Sequence, residues 1–372
     1  MARCLDIPRV TRYHGPGRKT TPCHRVARES VAGDVKEVGV AGPYATPPDH
    51  ADLAPIGVLV YSLAMATDGR PLEGIYPPIP TPFHASGEID LTALAENLRW
   101  WNGFELSGIV VLGSNGESVL LDEREKLRLI EAARAGVASD RLLIAGTGMQ
   151  STRATIALTR AAAAAGADSV LVLPPSYYRG LMTDDILGRH FRAVADASPV
   201  PVILYNMPAC TGIDLGAELI GSLADHENIL GLKDSGGDVV KLGRLHNELG
   251  GRFWILAGSA GFLLPAWSVG AVGGILALAN IAPRQCLEIL RLAEAGELAT
   301  ARALQVRMID PNTAVTRRWG VPALKAAMDM VGLRGGPVRA PLTPLSEGRR
   351  ADLRSILLEA KILDAQEEAK TT

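Results

Sequence analysis

Ile109-Val110-Val111-Leu112, running into Gly113-Ser114-Asn115-Gly116-Glu117, is the stretch whose reading decides the fold. A strand with one wet face alternates apolar and polar residues, whereas four apolar residues in a row fit a parallel strand covered on both faces. Val170-Leu171-Val172-Leu173 has the same form. Working outward, strands are expected at Gly74–Ile79, Gly108–Leu112, Leu142–Ala145, Ser169–Leu173, Val200–Tyr205, Ile229–Lys233, Trp254–Ala257 and Gly274–Leu278. Their spacing is near that of a βαβ unit, roughly 30 residues. Between them Leu91–Trp101, Asp122–Ala135, Thr152–Ala165, Asp184–Ala197 and Asp238–Leu249 have a helical period, and several open on Asp, Ser or Thr as N-caps. Eight such strands predict an α/β fold, a closed (β/α)8 TIM barrel. The rival, an open doubly wound sheet, lacks a G-x-G-x-x-G at its first turn. Beyond the eighth strand, Cys286–Ala295 can close the barrel, while Leu298–Ile309, Val321–Val331 and Ser346–Ala360 form an appended C-terminal helical layer.

A chain of 372 residues, 47% hydrophobic and 21% charged, can bury a large core. Its 38 Lys and Arg against 40 Asp and Glu leave a formal charge of −2. Without a basic field to bind nucleic acid or anionic lipid, the expected partners are small molecules. Cys4, Cys23, Cys210 and Cys286 form no C-x-x-C pair, which fits a reducing compartment and no structural zinc. No H-E-x-x-H occurs among the histidines, so no metal is expected. Leu53–Ala66 contains Pro55 and Gly57 and is shorter than the roughly 20 residues a membrane span needs. Ala64-Met65-Ala66 resembles a signal-peptidase site, but the proline-rich stretch before it is too long for a signal n-region.

Residues 1–72 scatter arginines such as Arg3, Arg9 and Arg12 among Pro and Gly without a period. They read as an N-terminal extension, disordered or not native, with Met65-Ala66-Thr67-Asp68-Gly69-Arg70 as a natural beginning. The organisation expected is this extension, the barrel over 73–296, and C-terminal helices and tail over 297–372. The expected location is the cytoplasm, or the mitochondrion if residues 1–64 are a transit peptide. Asp6, Pro8, Pro16 and Pro22 weaken the amphipathic helix that a transit peptide would need.

Active sites of such barrels gather where strands end. Lys233 closes the apolar strand in Asn228-Ile229-Leu230-Gly231-Leu232-Lys233-Asp234-Ser235, and Tyr205 ends Val202-Ile203-Leu204-Tyr205-Asn206. An ammonium at such a mouth loses hydration, which favours the neutral amine, and a neutral amine attacks carbonyls. A phenol beside it both donates and accepts protons. Taken singly, a snorkelling lysine and a core tyrosine are the commoner readings, and it is their co-location that favours chemistry. Backbone N–H groups of the Gly113–Glu117 turn can point at a carboxylate; the alternative is a plain glycine turn with Glu117 solvated or structural. Tyr177 and Tyr178, after Pro174-Pro175, put further phenols at the rim or simply pack there.

From Gly74 to about Leu345 the chain resembles the dihydrodipicolinate synthase and N-acetylneuraminate lyase family, class I aldolases and lyases that hold pyruvate as an imine. The resemblance is carried by Gly113-Ser-Asn-Gly-Glu117, Tyr205-Asn-Met-Pro208 with Thr211-Gly212, and Gly231-Leu-Lys-Asp-Ser-Gly-Gly-Asp238. Lys233-Asp-Ser-Gly-Gly237, Leu256-Ala-Gly-Ser-Ala-Gly-Phe-Leu263, Ala277-Leu-Ala-Asn280 and Ala314-Val-Thr-Arg-Arg318 are most similar to its 4-hydroxy-2-oxoglutarate aldolase branch. The resemblance implies Lys233 as Schiff-base lysine, Tyr205 as proton-transferring phenol, and Tyr177 as a relay reaching a neighbouring subunit's site. It also implies Ser114, Asn115, Ile275 and Ser235 as substrate-binding residues, no metal or cofactor, a 2-keto acid substrate, and a homotetramer. The implied reaction cleaves 4-hydroxy-2-oxoglutarate to pyruvate and glyoxylate. 4-Hydroxy-tetrahydrodipicolinate synthase, sugar-acid aldolase and N-acetylneuraminate lyase are alternatives within the same chemistry, and a non-catalytic keto-acid sensor is one outside it. The lysine-pathway synthases carry an arginine where this chain has Cys210 in Pro208-Ala209-Cys210-Thr211-Gly212, and a thiol cannot clamp a carboxylate bidentately.

Overall fold

Strand parity sorts the core into two clusters. In a computed structural model that describes residues 71–364, Tyr76, Val110, Ile144, Leu171, Ile203, Tyr205, Leu256 and Ile275 meet inside the barrel. Their neighbours Ile75, Val111, Leu143, Val170, Leu204, Leu232 and Ala257 pack outward against the helices. Both faces are therefore apolar, which is why these strands read as unbroken runs.

The strands are β1 Gly74–Tyr76, β2 Gly108–Val111, β3 Leu142–Gly146, β4 Ser169–Val172, β5 Val202–Asn206, β6 Ile229–Asp234, β7 Trp254–Ala257 and β8 Gly273–Ile275. They pair in parallel in the order β1-β8-β7-β6-β5-β4-β3-β2. The seam closes beyond β1, where Val110 donates to the Pro77 carbonyl at 3.0 Å and Ile79 to the Val110 carbonyl at 2.9 Å. The eight strands thus form the expected TIM barrel. Strands β2, β4 and β5 fall within two residues of their expected bounds, whereas β1 and β8 are only three residues long. β1 stops at Tyr76 because Pro77 and Pro78 have no N–H for a ladder, and β8 stops at Ile275, after which Ala277–Asn280 tightens into a 3-10 turn. Where β8 meets β1, a Cβ on Gly273 would lie 2.0 Å from the Gly74 carbonyl oxygen, so only glycine admits this approach.

Helices α1 Leu91–Trp101, α2 Glu123–Gly136, α3 Thr152–Ala164, α4 Asp184–Ala197 and α7 Val239–Leu249 fall where the apolar period put them. Side chains of Asp90, Asp122, Ser151, Thr183 and Asp238 cap them. The short helices α5 Pro208–Thr211, α6 Ala217–Leu223 and α8 Leu263–Ser268 are too brief to show a period, and sequence reading missed them. α9 Pro283–Glu294 follows β8 and packs on β1. The C-terminal layer comprises α10 Leu298–Arg307, α11 Ile309–Thr313, α12 Gly320–Met330 and α13 Glu347–Glu359. The expected single helix Leu298–Ile309 breaks near Met308, ahead of Pro311, and a π-helical turn, Ala314–Arg318, precedes α12. Nearly all of the expected N-terminal extension, 1–72, lies outside the described residues. No helix among the described residues is long and apolar enough to cross a membrane.

Candidate active site

Tyr205 of β5 and Lys233 of β6 are register partners, both pointing into the barrel near the C-terminal ends of their strands. Lys233 is only 3% exposed, and its Nζ lies 4.0 Å from the centroid of the Tyr205 ring. The Tyr205 hydroxyl is 3.3 Å from Ser114 Oγ. The amine, the phenol and the glycine-flanked turn therefore meet at one end of the barrel, as the sequence reading requires.

Ser114, Asn115 and Gly116 form a single 3-10 turn directly after β2. Thr81 Oγ1 donates to the Gly116 carbonyl at 2.6 Å and anchors it. Ser114 and Asn115 are half-buried. Ile275, expected early in the eighth strand, is instead its last residue, fully buried and paired with Tyr76. Ser235 lies just past β6: its N–H donates to the Asn206 carbonyl at 2.8 Å and its hydroxyl faces the Gly258 carbonyl at 3.5 Å. Tyr177 is placed differently. Its ring is 80% exposed and stacks edge-on against Tyr178, while its N–H donates to Gln150 Oε1 at 2.8 Å. On its own chain it faces solvent.

Sequence reading missed a polar network on the outer face of the same two strands. Asn206 and Asp234, the residues after Tyr205 and Lys233, are also register partners. Asn206 Nδ2 donates to Asp234 Oδ2 at 2.7 Å and to Asp214 Oδ1 at 2.6 Å. The buried Lys241 ammonium of α7 bridges the same carboxylates, 3.0 Å from Asp234 and 2.8 Å from Asp214. Gly236 and Gly237 N–H groups cap the other oxygen of Asp234. Both oxygens of the buried Asp234, the Asn206 amide and the Lys241 ammonium all have partners, the condition under which such clusters rigidify rather than weaken. Asn206 and Asp234 directly follow Tyr205 and Lys233 in sequence, and that adjacency was the available signal.

Cys210, in α5, sits close enough to Lys233 to feel its charge. Surrounding protein desolvates the thiol and raises its pKa, with the ammonium pulling the other way. No group of three or more His, Cys, Asp or Glu able to hold a metal is found among the described residues.

Residues 71–360 match the dihydrodipicolinate synthetase family. The chain is 38% identical over 307 residues to the probable mitochondrial 4-hydroxy-2-oxoglutarate aldolase of Emericella nidulans, covering 81% of this chain and 99% of that one. It is 34% identical over 285 residues to the 4-hydroxy-tetrahydrodipicolinate synthase of Methanothrix thermoacetophila, covering 76% and 95%. Among solved structures it matches a prophage protein of E. coli K12, of the dihydrodipicolinic acid synthase family and in complex with pyruvate. That match has TM-score 0.74, 31% identity, and coverage of 78% and 99%. With a barrel, an amine and a phenol arranged in this way, the chain belongs to the dihydrodipicolinate synthetase family and is a carbon–carbon lyase of the class I aldolase kind.

Proposed function

We propose that this enzyme cleaves 4-hydroxy-2-oxoglutarate to pyruvate and glyoxylate through an imine on Lys233. The observation that carries this reading is the buried Lys233 amine over the Tyr205 ring, with the phenol bonded to the Ser114 hydroxyl. Ser114 and Asn115 hold the carboxylate next to the keto group. The Lys233 amine adds to C2, water leaves, and a protonated imine forms. A base takes the C4 hydroxyl proton, the C3–C4 bond breaks, and its electron pair flows into the iminium to give an enamine and glyoxylate. Protonation at C3 and hydrolysis then release pyruvate and restore the amine. Tyr205 relays these protons, with Ser114 as the next hydroxyl in line. The iminium is the electron sink, so the cycle calls on no metal. Ile275 lines the pyruvate pocket by its backbone, and Ser235 closes it beside β7. Tyr177 of one subunit completes the relay of its neighbour within a homotetramer.

Cys210 supports a partner other than aspartate semialdehyde, since it offers no guanidinium. The 34% identity to a 4-hydroxy-tetrahydrodipicolinate synthase favours that activity as the second reading. The decisive experiment is borohydride reduction in the presence of pyruvate, followed by peptide mass analysis and rates on 4-hydroxy-2-oxoglutarate, aspartate semialdehyde and sialic acid. A reduced pyruvyl adduct on the Lys233 peptide and fastest turnover of the first substrate are expected. An unlabelled lysine would reject the imine, and faster turnover of aspartate semialdehyde would select the second reading. For location, the cytoplasm is our reading. The mitochondrial name of the Emericella nidulans relative favours the alternative, and the mature protein's N-terminal residue tests it.

A further inference from the structure

Leu112 and Glu117 bracket the Gly113–Gly116 turn, and both have left-handed backbones, at φ 58° and 54°. Among the described residues one other non-glycine residue, Lys361, shares that conformation. A residue with a Cβ stays there only where its surroundings impose it. For Glu117 those surroundings come from the C-terminal layer. Its carboxylate is buried and lies 2.5 Å from the ammonium of Lys325 on α12, itself 1% exposed. The second oxygen accepts the backbone N–H of Arg339 at 2.8 Å.

Both cations are fixed in turn. Lys325 Nζ also donates to the Pro337 carbonyl at 2.8 Å. Arg339 forms a two-pronged pair with Glu125 of α2, at 2.7 and 2.6 Å, and donates to the Leu120 carbonyl at 2.9 Å. The Phe83 ring takes Lys325 Nζ and Arg339 Cζ each at 4.4 Å from its centroid. Glu117 is thus held from one side by α12 and the segment after it, while its backbone starts two residues beyond Asn115.

We propose that Glu117, Lys325 and Arg339 are positioning residues that hold the Ser114–Asn115 turn in its carboxylate-binding shape, making the C-terminal layer part of keto-acid recognition. This rests on the reading of Ser114 and Asn115 as the carboxylate site. Losing the anchor relaxes the left-handed residue, and the turn's donors drift from where the carboxylate sits. Lys233 and Tyr205 stand on other strands and keep their reactivity.

The test is borohydride trapping on the full chain, titrated with pyruvate. For Lys325→Met the half-saturating pyruvate should rise about tenfold while labelling at saturation stays within about twofold, the signature of lost binding without lost chemistry. Arg339→Ala, which keeps the buried pair and the backbone bond to Glu117 but removes the guanidinium contacts to Glu125 and Leu120 that fix the segment, should raise it about threefold in the same assay. Should Lys325→Met fail to fold, Glu117→Gln combined with Lys325→Met removes the unpaired buried charge and should still show the raised half-saturation. Folded variants that bind pyruvate as the wild type does, or that lose only labelling capacity, would overturn the proposal. A wild-type protein that pyruvate does not label would instead overturn the imine reading, and this proposal with it.

Discussion

Tyr205 faces Lys233 because parallel register sets them opposite one another on β5 and β6, and no loop has to bring them together. Removing the phenol oxygen should therefore leave the ring under the amine and subtract proton transfer together with the hydrogen bond to Ser114. Tyr205→Phe is expected to lower kcat by about 10²-fold or more. Half-saturating pyruvate should move little; steady-state aldehyde release and pyruvate trapping measure the two. A variant of full activity would remove Tyr205 from the mechanism. Both residues were legible in the sequence, since each ends an apolar run with a polar group at the place where barrels carry chemistry. Glu117 was legible only as a choice between solvated and structural. Its partner Arg339 lies 222 positions away, and no local pattern encodes a contact of that span.

At the scale of elements, α4 carries a second hidden group. His190 lies on its buried face, 4% exposed, with Nδ1 2.9 Å from the Thr152 hydroxyl at the start of α3 and Nε2 buried without a partner. Burial pulls its pKa down to about 4. The unfolded chain, with His near 6.5, then binds the proton more readily than the folded one, so stability is complete above pH 6.5 and drains away as pH falls toward 4. Between pH 7 and pH 5 the wild type should lose about 2 kcal/mol more than His190→Leu does. Denaturant titrations of both proteins at the two pH values check this, and parallel losses would show that His190 does not drive the effect. α4 itself was plain from its apolar period, as were α1, α2, α3 and α7. The short α5, α6 and α8 are too brief to show a period, and the early end of β1 follows from Pro77 and Pro78.

For the whole molecule, Tyr177, Tyr178 and Leu181 are 80%, 67% and 65% exposed on the segment after β4. If Tyr177 serves a neighbour's site, two inactive chains should repair one another. Tyr177→Phe and Lys233→Met, refolded together at equal amounts, should recover about a quarter of wild-type activity, because half the pairs are mixed and each mixed pair rebuilds one site. Activity no greater than that of the two variants assayed apart would place Tyr177 outside the relay. Periodicity and unbroken apolar runs by themselves determined the barrel and the lysine and tyrosine at its strand ends, because burial on two faces and repetition of one βαβ unit leave a local imprint. Tertiary structure alone decided that Asn206, Asp234 and Lys241 brace β5 and β6 from outside, and that the C-terminal layer grips Glu117 at the end of the turn after β2. Those pairings join different elements, Asp234 of β6 with Lys241 of α7 and Glu117 after β2 with Lys325 of α12, and are fixed by packing between elements rather than by the order of residues along any one of them.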